Sequence, residues 1–130
     1  MASSRIVGIQ ALRWIGLLGS ALWAGVHIVL ASHVAFGKDV LATEIYSTFF
    51  AFTASLAIVA AVAFIMGFRS LYLPALVFYV IDFLLLTETR TGPALFIGEV
   101  LPVNIYVIES WILDVILIVV SAILWKIDKS

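Results

Sequence analysis

The sequence predicts an all-α membrane protein, a bundle of four transmembrane helices with little outside the bilayer. Three observations carry this. Apolar residues make up 65% of the 130 and charged residues 12%, against roughly 45–50% and 25% in soluble domains. A soluble domain of this size leaves too much surface exposed to hide that much apolar area. The charges are also spaced so that four long apolar runs lie between them, each near the roughly 20 helical residues that a hydrocarbon core of about 30 Å requires. The runs lack the alternation that barrel strands need.

The first run holds 24 residues without Asp, Glu, Lys or Arg, between Arg13 and Lys38, and predicts a span at about 14–36. Its small residues at Ser20-Ala21-Leu22-Trp23-Ala24 resemble a signal-cleavage site, but the apolar stretch continues to Phe36, so retention is the expectation. Gly37 to Glu44 is a polar loop. Another 24 uncharged residues, between Glu44 and Arg69, predict the second span at about 45–68. Arg69-Ser70 reads as a tight turn. Leu71 to Thr87, broken only by Asp82, predicts the third span at about 70–88. Pro93 suits the first position of a helix and Pro102 would stop one, so a short interfacial segment is expected at about 93–102. Ile105 to Trp125, interrupted by Glu109 and Asp114, predicts the fourth span at about 105–125. The chain is expected to be one transmembrane domain, 1–130.

Four spans put both termini on one side. That side carries Arg5, Arg13, Arg69, Lys126 and Lys129, and the other carries Lys38 and Arg90. The positive-inside rule then places both termini in the cytoplasm, with the protein in the plasma membrane of a prokaryote. Trp14, Tyr72 and Trp125 fall at the inner interface, Tyr46 and Tyr106 at the outer.

No cysteine is present, which excludes disulfides, thiolate catalysis and cysteine-held clusters. No basic run long enough to track phosphates occurs, so no nucleic acid is expected as a partner. Asn104 and Gln10 are the sole residues of their types, and depletion of thermolabile residues fits a thermophile as well as it fits membrane helices.

The ionisable groups within the spans are the most informative. His27, Asp82, Glu109 and Asp114 all fall in the same half of the membrane, away from the termini. An ionised carboxylate at the centre of a span costs roughly 2.5–3.5 kcal/mol, and no Lys or Arg sits at that depth. Either His27 is protonated and pairs with an acid, or the acids are neutral and donate hydrogen bonds. The expectation is a buried polar cluster of Asp82, Glu109, Asp114 and His27. It serves proton or ion binding, helix packing, or contact with a neighbouring subunit. His27 and His33 are six positions apart, about 600° around a helix and 9 Å along it, so they cannot share one iron. No catalytic residues, no metal site and no cofactor of its own are expected, with lipid or quinone at the periphery as the remaining candidates.

Close helix contact in lipid comes from small and polar residues. Gly16, Ser20 and Ala24 form such a face on the first span, and Ser110 and Ser121 belong to one on the fourth. These faces are expected to pack helices or to dock a partner.

Leu12-Arg13-Trp14-Ile15-Gly16-Leu17-Leu18 opening the first span, and Gly67-Phe68-Arg69 closing the second, resemble the DoxX-like small membrane proteins over about the first half of the chain. The resemblance implies a four-helix protein of similar length. Some members of that family are linked to quinone-dependent sulfur oxidation and terminal oxidases. No site residue is carried over from it.

The functional expectation is a small non-catalytic integral-membrane subunit of a multi-subunit, energy-converting respiratory or redox complex. Its partners would be other membrane subunits and lipid. The alternatives are a homo-oligomeric proton- or ion-coupled transporter or channel using the intramembrane carboxylates, and a component of a quinone-linked oxidoreductase.

Overall fold

The computed structural model describes residues 2–33, 40–92, 103 and 105–128. Four helices run in order: α1 Ala2–His33, α2 Val40–Met66, α3 Arg69–Thr91 and α4 Ile105–Ile127. All four contain stretches long and apolar enough to cross a membrane. The interfacial segment expected at 93–102 lies outside the described residues.

The helices are longer than the apolar runs that announce them. α1 begins at Ala2 instead of 14 and passes through Arg13, and α2 begins at Val40 and includes Glu44. Charge marks where a chain leaves hydrocarbon, whereas a helix continues for as long as its backbone bonds do, into the headgroup region and beyond. α3 likewise extends to Thr91 and α4 to Ile127.

The turn between α2 and α3 is formed by Gly67 and Phe68, two residues earlier than the expected Arg69-Ser70. Phe68 N–H donates to Ala63 O at 3.0 Å and Gly67 N–H to Phe64 O at 3.2 Å, the paired bonds of a Schellman motif. Gly67 sits at φ +71°, and a Cβ there would also stand 2.5 Å from the Arg13 guanidinium. Only glycine meets both conditions without strain.

The helices pack as an antiparallel square, with α1 against α2 and α4, and α3 against α4. The α2–α3 seam is the loosest of the four. The start of α1, the end of α4 and the α2–α3 turn occupy one end of the bundle, called here the termini end. The α1–α2 and α3–α4 connections leave from the opposite end, the loop end. The α1–α2 contact is built from small residues. Ala54, Ala57 and Ala61 of α2 are buried there, and Gly16 admits the Phe64 ring so closely that a Cβ would meet it at 2.5 Å. Trp23, Phe64, Tyr72, Tyr79, Leu117 and Leu124 fill the centre and are fully enclosed. Leu18, Leu22, Phe52, Val59, Leu84 and Ile112 point outward. This inversion of the soluble pattern is the one lipid as solvent selects.

Candidate functional site

A polar cluster sits inside the bundle on three helices. Asp82 lies nine residues before the end of α3, and Asp114 nine residues after the start of α4. Because the two helices are antiparallel, this equal offset sets both acids at one level, about 13–14 Å from the loop end of the helices. Asp114 is wholly buried and Asp82 is 7% exposed.

α1 supplies the rest. Trp23 and His27, four residues apart, share a helix face. Their rings stack with centroids 3.5 Å apart and 10° between planes. Trp23 Nε1 donates to Asp114 Oδ1 at 2.7 Å. His27 Nδ1 lies 2.9 Å from Trp23 O. A carbonyl only accepts, so Nδ1 carries the hydrogen and Nε2 is left as the ring atom that can take up a proton. His27 interacts electrostatically with Asp82 and meets the Phe50 ring of α2 edge-on, centroids 5.7 Å apart. On the termini side of the acids, the hydroxyls of Ser20 and Tyr79 share a hydrogen bond of 2.6 Å.

The two carboxyl groups face each other within hydrogen-bonding reach. Asp82 Oδ2 and Asp114 Oδ2 are both buried, and no N–H or O–H donor reaches either. Two ionised carboxylates cannot bond each other, since both only accept; one proton between them supplies the donor and removes one of the two charges. The cations among the described residues are too far away to do so. Arg13 pairs with Asp128 at the termini end, Arg69 donates to Trp125 O, Lys126 is exposed in the last turn of α4, and Arg90 donates to Thr89 near the loop end. The arrangement can therefore hold a proton between two acids, beside a histidine with one free ring nitrogen.

The structure brings Asp82, Asp114 and His27 together and leaves Glu109 out. Glu109 is exposed on the outer face of α4. Its five-residue offset from Asp114 turns it about 140° away around the helix, a rotation that depth alone does not reveal. The His33 side chain is outside the described residues. Gly16, Ser20, Ala24, Ser110 and Ser121 all lie in the bundle interior, and Ser121 Oγ donates to Leu117 O of its own helix at 2.6 Å. Among the described residues no group of three or more potential ligands could hold a metal ion.

Sequence reasoning missed Trp23 as the donor to Asp114. It also missed the Ser20–Tyr79 bond and a cluster at the termini end. There Arg13 Nε donates to Asp128 Oδ2 at 2.8 Å and its Nη2 to Oδ1 at 2.9 Å, while Tyr72 O–H donates to Oδ2 at 2.6 Å. The four-residue spacing of Trp23 and His27 was the available signal; the equal offsets of the two acids emerge only because α3 extends to Thr91, beyond the expected end at 88.

Comparison with family models, curated proteins and solved structures finds no match for this chain. The likeness to DoxX-like proteins therefore holds only at the level of general architecture. The chain is an all-α bundle of four long apolar helices, of the general class of small multi-span membrane proteins.

Proposed function

We propose that this chain is a small proton-binding membrane subunit, holding a proton between Asp82 and Asp114 and working within a larger energy-converting membrane complex. The observation that carries the reading is the pair of buried, donor-less oxygens, Asp82 Oδ2 and Asp114 Oδ2, on carboxyl groups that face each other. A pair kept only for packing would be satisfied by ordinary donors. Intramembrane acids of this kind mark proton and ion sites.

Two features support a subunit over a self-contained transporter. The interior on the termini side of the pair is filled by Phe64, Leu117, Tyr72 and Leu124, so the chain offers a proton a resting place and no through path of its own. Glu109 faces outward from α4 within a candidate span, and a neighbouring subunit would spare that carboxylate contact with lipid. The small-residue faces lend less to the partner reading than the sequence alone suggests, because Gly16, Ser20, Ala24, Ser110 and Ser121 are used within the bundle. The lumen-facing arrangement a homo-oligomeric channel needs finds no matching polar path in this core.

Infrared titration of the purified protein tests the proton site. A protonated-carboxyl C=O band that disappears in both Asp82→Asn and Asp114→Asn, and persists in Glu109→Gln, is expected. A spectrum unchanged by both Asn substitutions would remove the reading. Gentle extraction followed by a native gel and mass spectrometry tests the complex: co-migration with larger membrane subunits is expected, and migration as a small homo-oligomer overturns it.

A further inference from the structure

The proton site has two unlike sides. Toward the termini end it is backed by Ser20 and Tyr79, both fully buried and bonded to each other. Behind them lie Phe64 of α2, Leu117 and Leu124 of α4 and the ring of Tyr72, all fully enclosed. The close fit of Phe64 against Gly16 shuts this layer against α1. Ser121, at the same level, spends its hydroxyl on its own helix. Tyr79 and Tyr72 are seven residues apart on α3, a rise of about 10 Å, and between their hydroxyls the described core offers no side chain arranged to pass a proton onward. Arg13, Asp128 and Tyr72 then close the end.

Toward the loop end the packing differs. His27 interacts electrostatically with Asp82, and its bond to Trp23 O uses Nδ1 and leaves Nε2 for proton uptake. Level with His27 lie Tyr46, Ser47 and Trp111, and nearer the loop end Thr87, all only partly buried. Trp111 Nε1 donates to Thr87 Oγ1 at 3.1 Å and Ser47 Oγ to Ala31 O at 2.7 Å. The α2–α3 seam is the loosest contact of the bundle, and at the level of the pair Phe50 of α2 meets His27 edge-on with centroids 5.7 Å apart. Polar side chains thus continue from the pair toward the loop end and stop at an apolar layer toward the termini end.

We infer that the Asp82–Asp114 pair exchanges its proton only with the loop-end side of the membrane, by way of His27, and is sealed from the termini end by the Phe64–Leu117–Tyr72–Leu124 layer. This rests on the proton-binding reading above and adds its direction. The proton moves from water on the loop-end side to His27 Nε2, then to the carboxylate of the singly charged pair, and leaves by the reverse path; no other bond changes. The groups bearing on the pair are His27 of α1 and Tyr79 of α3. On α2 the nearest titratable group toward the loop end is Tyr46, which interacts with Glu88 and Arg90. On α4, Glu109 points away.

The test uses the full-length protein in vesicles of one orientation, with sidedness read by protease access to a C-terminal tag. Infrared difference spectra follow the carboxyl band assigned by Asp82→Asn and Asp114→Asn while the pH on one side is changed. The expected result is a band that follows the loop-end pH and loses all response to the termini-end pH. A band that follows the termini-end pH, alone or together with the other, overturns one-sided access and leaves proton binding standing. A band untouched by either Asn substitution overturns both. Should an Asn variant fail to fold, Trp23→Phe provides the assignment, since loss of its N–H to Asp114 shifts the same band. Leu117→Ser, which places a hydroxyl in the sealing layer, is expected to open the response to both sides; a response still confined to the loop end would overturn that layer as the seal.

Discussion

Two aspartates at different levels of the bundle solve the same problem in different ways. Asp128, just past α4, receives two bonds from the Arg13 guanidinium and one from Tyr72. Asp114, fourteen residues earlier in the chain, has one indole donor, one opposed carboxyl group and one oxygen without a donor. The first site lies where an arginine can join the cluster with its side chain still 20% exposed. At the second, a cation of that size would itself need desolvation in the bilayer interior, at a cost of several kcal/mol. A fully paired carboxylate has nothing left to gain from a proton, so Asp128 acts as a structural tie joining α1, α3 and α4. A carboxyl group satisfied only by sharing a proton is chemically open, so Asp114 and Asp82 are the functional candidates.

That contrast can be broken from either end, and the largest effect is expected at the tie. Asp128→Ala strands Arg13 and frees Tyr72, and should destabilise the protein by about 3 kcal/mol, the lower end for a broken buried pair because Arg13 retains some exposure. Thermal unfolding in detergent, followed by circular dichroism, measures it. Trp23→Phe keeps the stacked ring and deletes the donor to Asp114, for an expected loss of about 2 kcal/mol by the same assay. Gly67→Ala forces a Cβ into the left-handed region and against Arg13, for about 1–2 kcal/mol, with the added signature that it weakens the Arg13–Asp128 tie. Asp114→Asn sharpens the comparison most. An amide can donate to Asp82 in place of the shared proton, so stability should change by about 1 kcal/mol or less while the carboxyl band is lost. Asp128→Asn, by contrast, removes a charge that Arg13 requires and should cost clearly more. The smallest effect belongs to Glu109→Gln, expected within about 0.5 kcal/mol because the side chain points out of the bundle.

The candidate site was partly legible in advance. Asp82, Asp114 and His27 announce themselves because ionisable side chains are costly in an apolar span wherever they point. Their depth follows from counting residues, since helical rise is constant. The rotation of each helix about its own axis does not follow from counting. Glu109 shows the consequence: it lies in the same half of the bundle as the pair but on another face of α4. The Arg13–Asp128 tie was harder still to foresee. Its partners are 115 positions apart and meet only because four antiparallel helices return the end of the chain to the level of α1.

The sequence by itself determined the number of helices, the apolar stretch of each and the half of the bundle that holds the buried acids. Those are decided by length, hydropathy and a fixed rise per residue, all of which are local. Tertiary structure decided which faces turn inward. It directed Gly16, Ser20 and Ala24 to internal packing, set Trp23 against Asp114 and left one buried oxygen on each of Asp82 and Asp114 with no donor. Helix rotation and side-chain pairing depend on how four surfaces fit one another, and in lipid, where apolar residues are at home on either side, hydropathy alone cannot choose between them.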